Sequence, residues 1–112
     1  MSKIDKIPKL VEKRKSDKLV AMLRDKSSEV RAAAIDGLGK IGDETAMNTL
    51  VVLLRDPSAE QRAAAVKALG LLAIRDTRNT AAKSHLQYLK TSETDATVIQ
   101  ALEETMTKIS QA

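Results

Sequence analysis

Two stretches of the chain repeat one another in a single unbroken register. Leu23-Arg24-Asp25-Lys26-Ser27-Ser28-Glu29-Val30-Arg31-Ala32-Ala33-Ala34-Ile35 is matched, 31 positions later, by Leu54-Arg55-Asp56-Pro57-Ser58-Ala59-Glu60-Gln61-Arg62-Ala63-Ala64-Ala65-Val66. The match continues through Leu38-Gly39 and Leu69-Gly70 with nothing inserted. Self-similarity at a fixed period marks a stack of supersecondary units, each too small to bury its apolar face alone.

Each unit reads as two helices. Leu19, Met22 and Leu23, and then Leu50, Leu53 and Leu54, fall on one face at helical spacing. Ser27 and Ser58 are N-cap residues for the helix that follows, and Ser58-Ala59-Glu60-Gln61 reads as a capping box in which Gln61 reaches back. Pro57 fits the turn before that cap and is unsuited to the helix before it. The second helices turn Val30, Ala34, Leu38 and Ile41, or Ala65, Leu69 and Leu72, inward. Gly42 lies where a helix ends on a left-handed residue. The apolar content suits helices, with one Tyr, no Phe and no Trp, since strands favour aromatic and β-branched residues.

A third, irregular copy follows. Leu86 and Leu89 resemble Leu50 and Leu53 or Leu54, while Ile99, Ala101 and Leu102 resemble Val66, Ala68 and Leu69 at an offset of 33. Ile4, Ile7, Leu10 and Val11 predict a short capping helix over the first unit. Val98, Leu102, Met106 and Ile109 form a narrow stripe on a final helix whose other face is polar, as the open end of a stack requires. The expected architecture is all-α: one domain, a short right-handed α-solenoid of about three helix pairs. Its divisions are 1–16 (N-terminal cap), 17–46, 47–77 and 78–112.

At this point the strings LRDKSSEVRAAAIDGLGKIGDETA and LRDPSAEQRAAAVKALG resemble HEAT-like repeats of the phycobilisome-lyase type. The resemblance is strong over residues 17–75 and weak elsewhere. Such a family implies the helix-pair fold, and it spans scaffolds, adaptors, bilin lyase subunits and a few DNA-acting enzymes. It also implies that Asp25, Arg31, Asp56 and Arg62 hold neighbouring units in register. In the third unit Lys90-Thr91 stands where Arg-Asp is expected and Asp95 at the Arg position, so the registering pair is absent there. By the same resemblance the second helices line the concave side. The candidate surface there is Asp36, Lys40, Lys67, Leu71, Gln100 and Glu104, together with Ala32, Ala63 and Ala96. It is mixed in charge and lacks the aromatic anchors of a high-affinity hot spot.

Charge is distributed unevenly. Residues 1–18 carry seven basic and three acidic side chains, and residues 19–112 balance at twelve of each, so the net +4 lies wholly at the N-terminal end. Lys6, Lys9, Lys13, Arg14, Lys15 and Lys18 form a candidate basic patch for nucleic acid or another anionic surface. Without aromatics only phosphate contacts remain, and such binding falls steeply with salt. A solvated helix face is the plainer account.

Other motifs carry no chemistry. Gly37-Leu38-Gly39-Lys40-Ile41-Gly42 has the spacing of a dinucleotide fingerprint, but its glycines close a helix, where the dipole repels phosphate. They read as close packing and a helix stop. His85 is the single His and has no ligand or nucleophile partner at fixed spacing; with Tyr88 it reads as a surface residue. Glu103 and Glu104 are adjacent on a helix and so diverge. Val20 and Val51 read as packing between first helices. With no Cys there is no disulfide or thiolate site. No apolar run has the length of a membrane span, and MSKIDKIPKLVEKRK lacks the apolar centre of a secretory signal, so a cytoplasmic protein without membrane insertion is expected.

These observations predict a non-catalytic protein-interaction module, an adaptor, scaffold or assembly factor, with no cofactor and no metal. Its rivals are the anionic-surface binder and, by family resemblance, an accessory subunit of a bilin lyase-like enzyme. A glycosylase is poorly served by a single aromatic. An incompletely covered end of the stack would allow self-association.

Overall fold

Ser27 and Ser58 each accept a hydrogen bond from the backbone N–H three residues on, at 3.3 Å, and so start a helix after a tight turn. The computed structural model describes residues 2–112 and, among them, seven α-helices and no strand. A 3-10 turn at Ile4–Lys6 leads into α1 (Ile7–Glu12). Three pairs follow: α2 (Ser16–Met22) with α3 (Ser28–Ile41), α4 (Glu44–Leu53) with α5 (Ala59–Arg75), and α6 (Thr80–Lys90) with α7 (Ala96–Gln111). The result is a short α-solenoid with α1 packed against α3 at one end.

The first helices α2, α4 and α6 touch in sequence along one layer, and α3, α5 and α7 along the other. The core lies between. Leu19, Leu38, Leu50, Leu69, Leu86 and Leu102 are its largest fully buried side chains, joined by Ile35, Val66 and Val98. Val20, Val51, Met106 and Ile109 pack half-buried against it. Alanine and glycine set the spacing between units. A Cβ on Gly39 would stand 2.9 Å from the Ala68 Cβ and 3.1 Å from the Ala68 backbone, so α3 and α5 meet there almost backbone to backbone. Gly42 ends α3 at φ 65°, the left-handed position the sequence assigns to it.

Three features differ from the sequence reading. The helix break lies at Gly42–Asp43, with Asp43 capping α4, so the expected division after residue 46 falls inside α4. The capping box at Ser58 closes on one side only. Its backbone N–H donates to Asp56 Oδ1 at 2.8 Å, and the buried Gln61 Oε1 accepts nothing. The third unit aligns differently as well. Its N-cap is Asp95, which accepts from the N–H groups of Thr97 and Val98, and from Ser58 to Asp95 is 37 positions rather than 33. The difference of four residues is about one helical turn, so the apolar face stays in phase under either alignment.

Candidate functional site

The turn before each second helix is built alike in all three units. A carboxylate two residues ahead of the N-cap accepts the N-cap N–H: Asp25 from Ser27 at 2.9 Å, Asp56 from Ser58 at 2.8 Å, and Glu93 from Asp95 at 3.1 Å. Glu93, not Thr91, therefore stands in the acidic position of the third unit, and Ile99 stands in that of Arg31 and Arg62. The two arginines do not bond their own aspartate side chains. Arg31 Nη1 donates to the Asp25 and Lys26 carbonyls at 2.7 and 3.1 Å, and Arg62 Nη1 to the Asp56 and Pro57 carbonyls at 2.8 and 3.2 Å. Each thus closes the turn of its own unit.

Arg62 also reaches across to the next unit. Arg62 Nε and Nη2 donate to the two Glu93 oxygens at 2.8 and 3.2 Å, a bidentate pair joining α5 to the α6–α7 turn. The Arg62 guanidinium, with the Asp95 N–H, holds the Glu93 carboxyl below its ordinary range against the opposing effect of burial. Asp25 pairs with Lys3 of the cap, and this bond and the Ser27 N–H lower its pKa. Among the described residues no ion pair joins Arg31 to Asp56. A further tie was not foreseen. Buried Ser16, at the start of α2, donates to Asp43 Oδ2 at 2.7 Å while Asp43 Oδ1 caps Ala46 at 2.9 Å. Burial works to raise the Asp43 pKa, but these two bonds and the nearby Arg14 charge outweigh it, and the carboxyl sits lower than usual.

The face formed by α3, α5 and the start of α7 holds an open cleft of about 560 Å³. Ala32, Ala59, Ala63, Ala64 and Ala68 line it as an alanine floor, together with Asp36, Glu60, Lys67 and Thr97. Of the residues expected on this face, Asp36 and Lys67 line the cleft. Lys40 lies beside it, paired with Asp36 at 3.1 Å. Leu71 lies further along, over a smaller hollow shared by Lys67 with Gly70, Thr105 and Lys108, and is 42% exposed. Gln100 donates to Glu104 at 3.1 Å on the exposed side of α7. Aligned on the caps, they answer to Ala63 and Lys67, and Lys108 answers to Leu71. Ala96 is exposed at the first position of α7 and lies outside the cleft.

The N-terminal lysines gather separately. Lys6, Lys9, Lys13, Lys15 and Lys18 surround a depression of about 380 Å³ with Asp5 and Leu10. Arg14, expected among them, is not part of its lining, and its charge acts on Asp43 instead. On the layer of first helices His85 and Tyr88 are exposed and share a shallow hollow with Val51, Leu54 and Arg55. Among the described residues no cluster of three or more His, Asp or Glu side chains is placed to hold a metal, and no helix is long and apolar enough to cross a membrane.

Comparison with known proteins agrees with this architecture. The family model for HEAT repeats matches residues 16–107, which includes all three helix pairs up to the last turn of α7 and leaves out the cap. No curated protein and no solved structure matches the chain. A repeat match over most of the length, on a stack of paired helices with recurring caps, shows that the chain belongs to the HEAT-repeat family.

Proposed function

We propose that the protein is a non-catalytic protein-interaction module, an adaptor, scaffold or assembly factor, that receives its partner in the cleft of α3, α5 and α7. The alanine floor of that cleft carries the reading. Five alanines present nothing larger than a methyl group to the cleft, so a partner segment can approach the helices closely. Asp36, Glu60 and Lys67 supply charges of both signs at its sides, which favours a polar, orientation-setting rim over bulk affinity. HEAT repeats generally serve as interaction scaffolds, and this geometry fits that use.

The test is capture from lysate of the source cell at low and high salt after nucleic acid is digested, with Ala32→Trp as the comparison. Ala32 is exposed, so the indole fills the cleft without entering the core. A defined protein retained at high salt by the parent and lost with Ala32→Trp, at an unchanged melting temperature, is the expected result. Equal retention by both, or capture that disappears with salt or nuclease, would overturn the reading.

A further inference from the structure

The lysine depression on the cap is a second surface, and its construction is specific. Lys6, Lys9, Leu10 and Lys13 lie three and four apart on one side of the cap helix. That helix ends in a reversal in which the Lys15 N–H donates to the Leu10 carbonyl at 2.8 Å and the Arg14 N–H to the Val11 carbonyl at 3.0 Å. Arg14 occupies the left-handed position of the reversal at φ 55°, where glycine is usual. The turn brings Lys15 and Lys18 of α2 back to the same depression as Lys6, Lys9 and Lys13. Five lysine side chains thus line one hollow in which Asp5 is the single acid. Among the described residues none of the five is in an ion pair, although Glu12 and Asp17 are close in sequence. Like charges gathered without counter-charges give the depression a positive potential that favours an anionic ligand.

The hollow is not purely ionic. Leu10, half-buried, forms its floor, and the lysines contribute their methylene stems to the walls. We propose that this depression docks an acidic peptide segment of a partner protein, one apolar side chain seated on Leu10 and flanking carboxylates reaching the lysines. Nucleic acid fits less well. It offers no apolar side chain for the floor, and the cap has neither an aromatic to stack on a base nor an arginine in the lining to grip a phosphate with two bonds. A lipid surface fits less well too, because the strongly exposed large apolar residues, Val52, Leu71 and Tyr88, all lie on other helices. The proposal goes beyond the cleft reading and concerns a separate face.

The experiment is fluorescence anisotropy of a short labelled peptide with a central leucine between glutamates. Binding should weaken at least about tenfold in Lys6→Gln/Lys9→Gln/Lys13→Gln and less than about twofold in Lys83→Gln/Lys90→Gln, exposed lysines of α6, since truncating a charge at the site acts on the bound state and a distant charge does not. Replacing the peptide's leucine by serine should weaken it roughly fivefold or more through lost apolar burial. Lys15→Gln/Lys18→Gln provides an independent variant should the triple one melt early. No binding by the parent, unchanged affinity in both lysine variants, indifference to the leucine, or tighter binding of duplex DNA or anionic vesicles would overturn the proposal. Ala32→Trp should leave peptide affinity unchanged, so failure here and failure of the cleft reading are told apart.

Discussion

Gly39 and Ala68 decide how closely two units approach, and Leu69 beside them decides what that approach is worth. No side chain larger than hydrogen fits at Gly39 without displacing the α5 backbone. Leu69 is fully buried where α5 meets its neighbours. Leu69→Ala should therefore cost on the order of 2–5 kcal/mol, because a close-packed site collapses poorly around the missing atoms. Urea unfolding followed by circular dichroism measures it. A loss below about 1 kcal/mol would mean that Leu69 is not a core residue. The burial of Leu69 was legible in the helical spacing of apolar residues. The pairing of Gly39 with Ala68 was not, since a small residue announces close approach without naming its partner.

At the scale of the element, the recurring turn is what the sequence conveyed best in two units and least well in the third. Serine caps, Pro57 and Gly42 act on backbone within four residues, so local chemistry predicts them. Ser16 and Asp43 are 27 positions apart, and Arg62 and Glu93 are 31 apart; such bonds follow from stacking and leave no local signature. The longer connection before α6 and a helix register that tolerates a one-turn slip hid Glu93 behind Thr91. Of the residues expected on the face of α3, α5 and α7, Asp36 and Lys67 line the cleft, and the same one-turn slip offsets Gln100 and Glu104 from their counterparts in the second unit.

The Arg62–Glu93 tie makes a prediction with a sign. Glu93 has its carboxyl pKa lowered from the ordinary 4.5 by Arg62, so the stability it adds is present above that value and is lost as pH falls through the lower, folded one. Asp43, lowered from 3.8, behaves alike at more acid pH. Glu93→Gln should lose about 1.5–3 kcal/mol at neutral pH, the usual worth of hydrogen bonds to a charged group. It should also lose less additional stability than the parent as pH falls from about 5 to 3. Melting curves across that range decide the matter, and parallel acid limbs for parent and variant would assign the titration to other carboxylates.

Across the whole molecule, the stack is one-dimensional, and its units do not share protection equally. α5 is flanked by α3 and α7 in its own layer and covered by α4 and α6 from the other, whereas α1 rests on α2, α3 and the leading turn alone. In an array stabilised by neighbour contacts, the ends open first and the centre only with the whole. Amide hydrogen exchange should therefore be slowest for Ala65, Val66, Ala68 and Leu69, at a rate that matches global unfolding. Ile7–Glu12 and Thr80–Lys90 should exchange through smaller openings. The prediction bears on function, because the lysine depression lies on the end that opens early, while the alanine-floored cleft lies over the most protected helix. A ligand in the depression should slow exchange in α1 and α2 by mass action and leave α5 unchanged. Uniform exchange along the chain would mean that the stack unfolds as one cooperative unit, and the two surfaces would then be coupled through every helix between them.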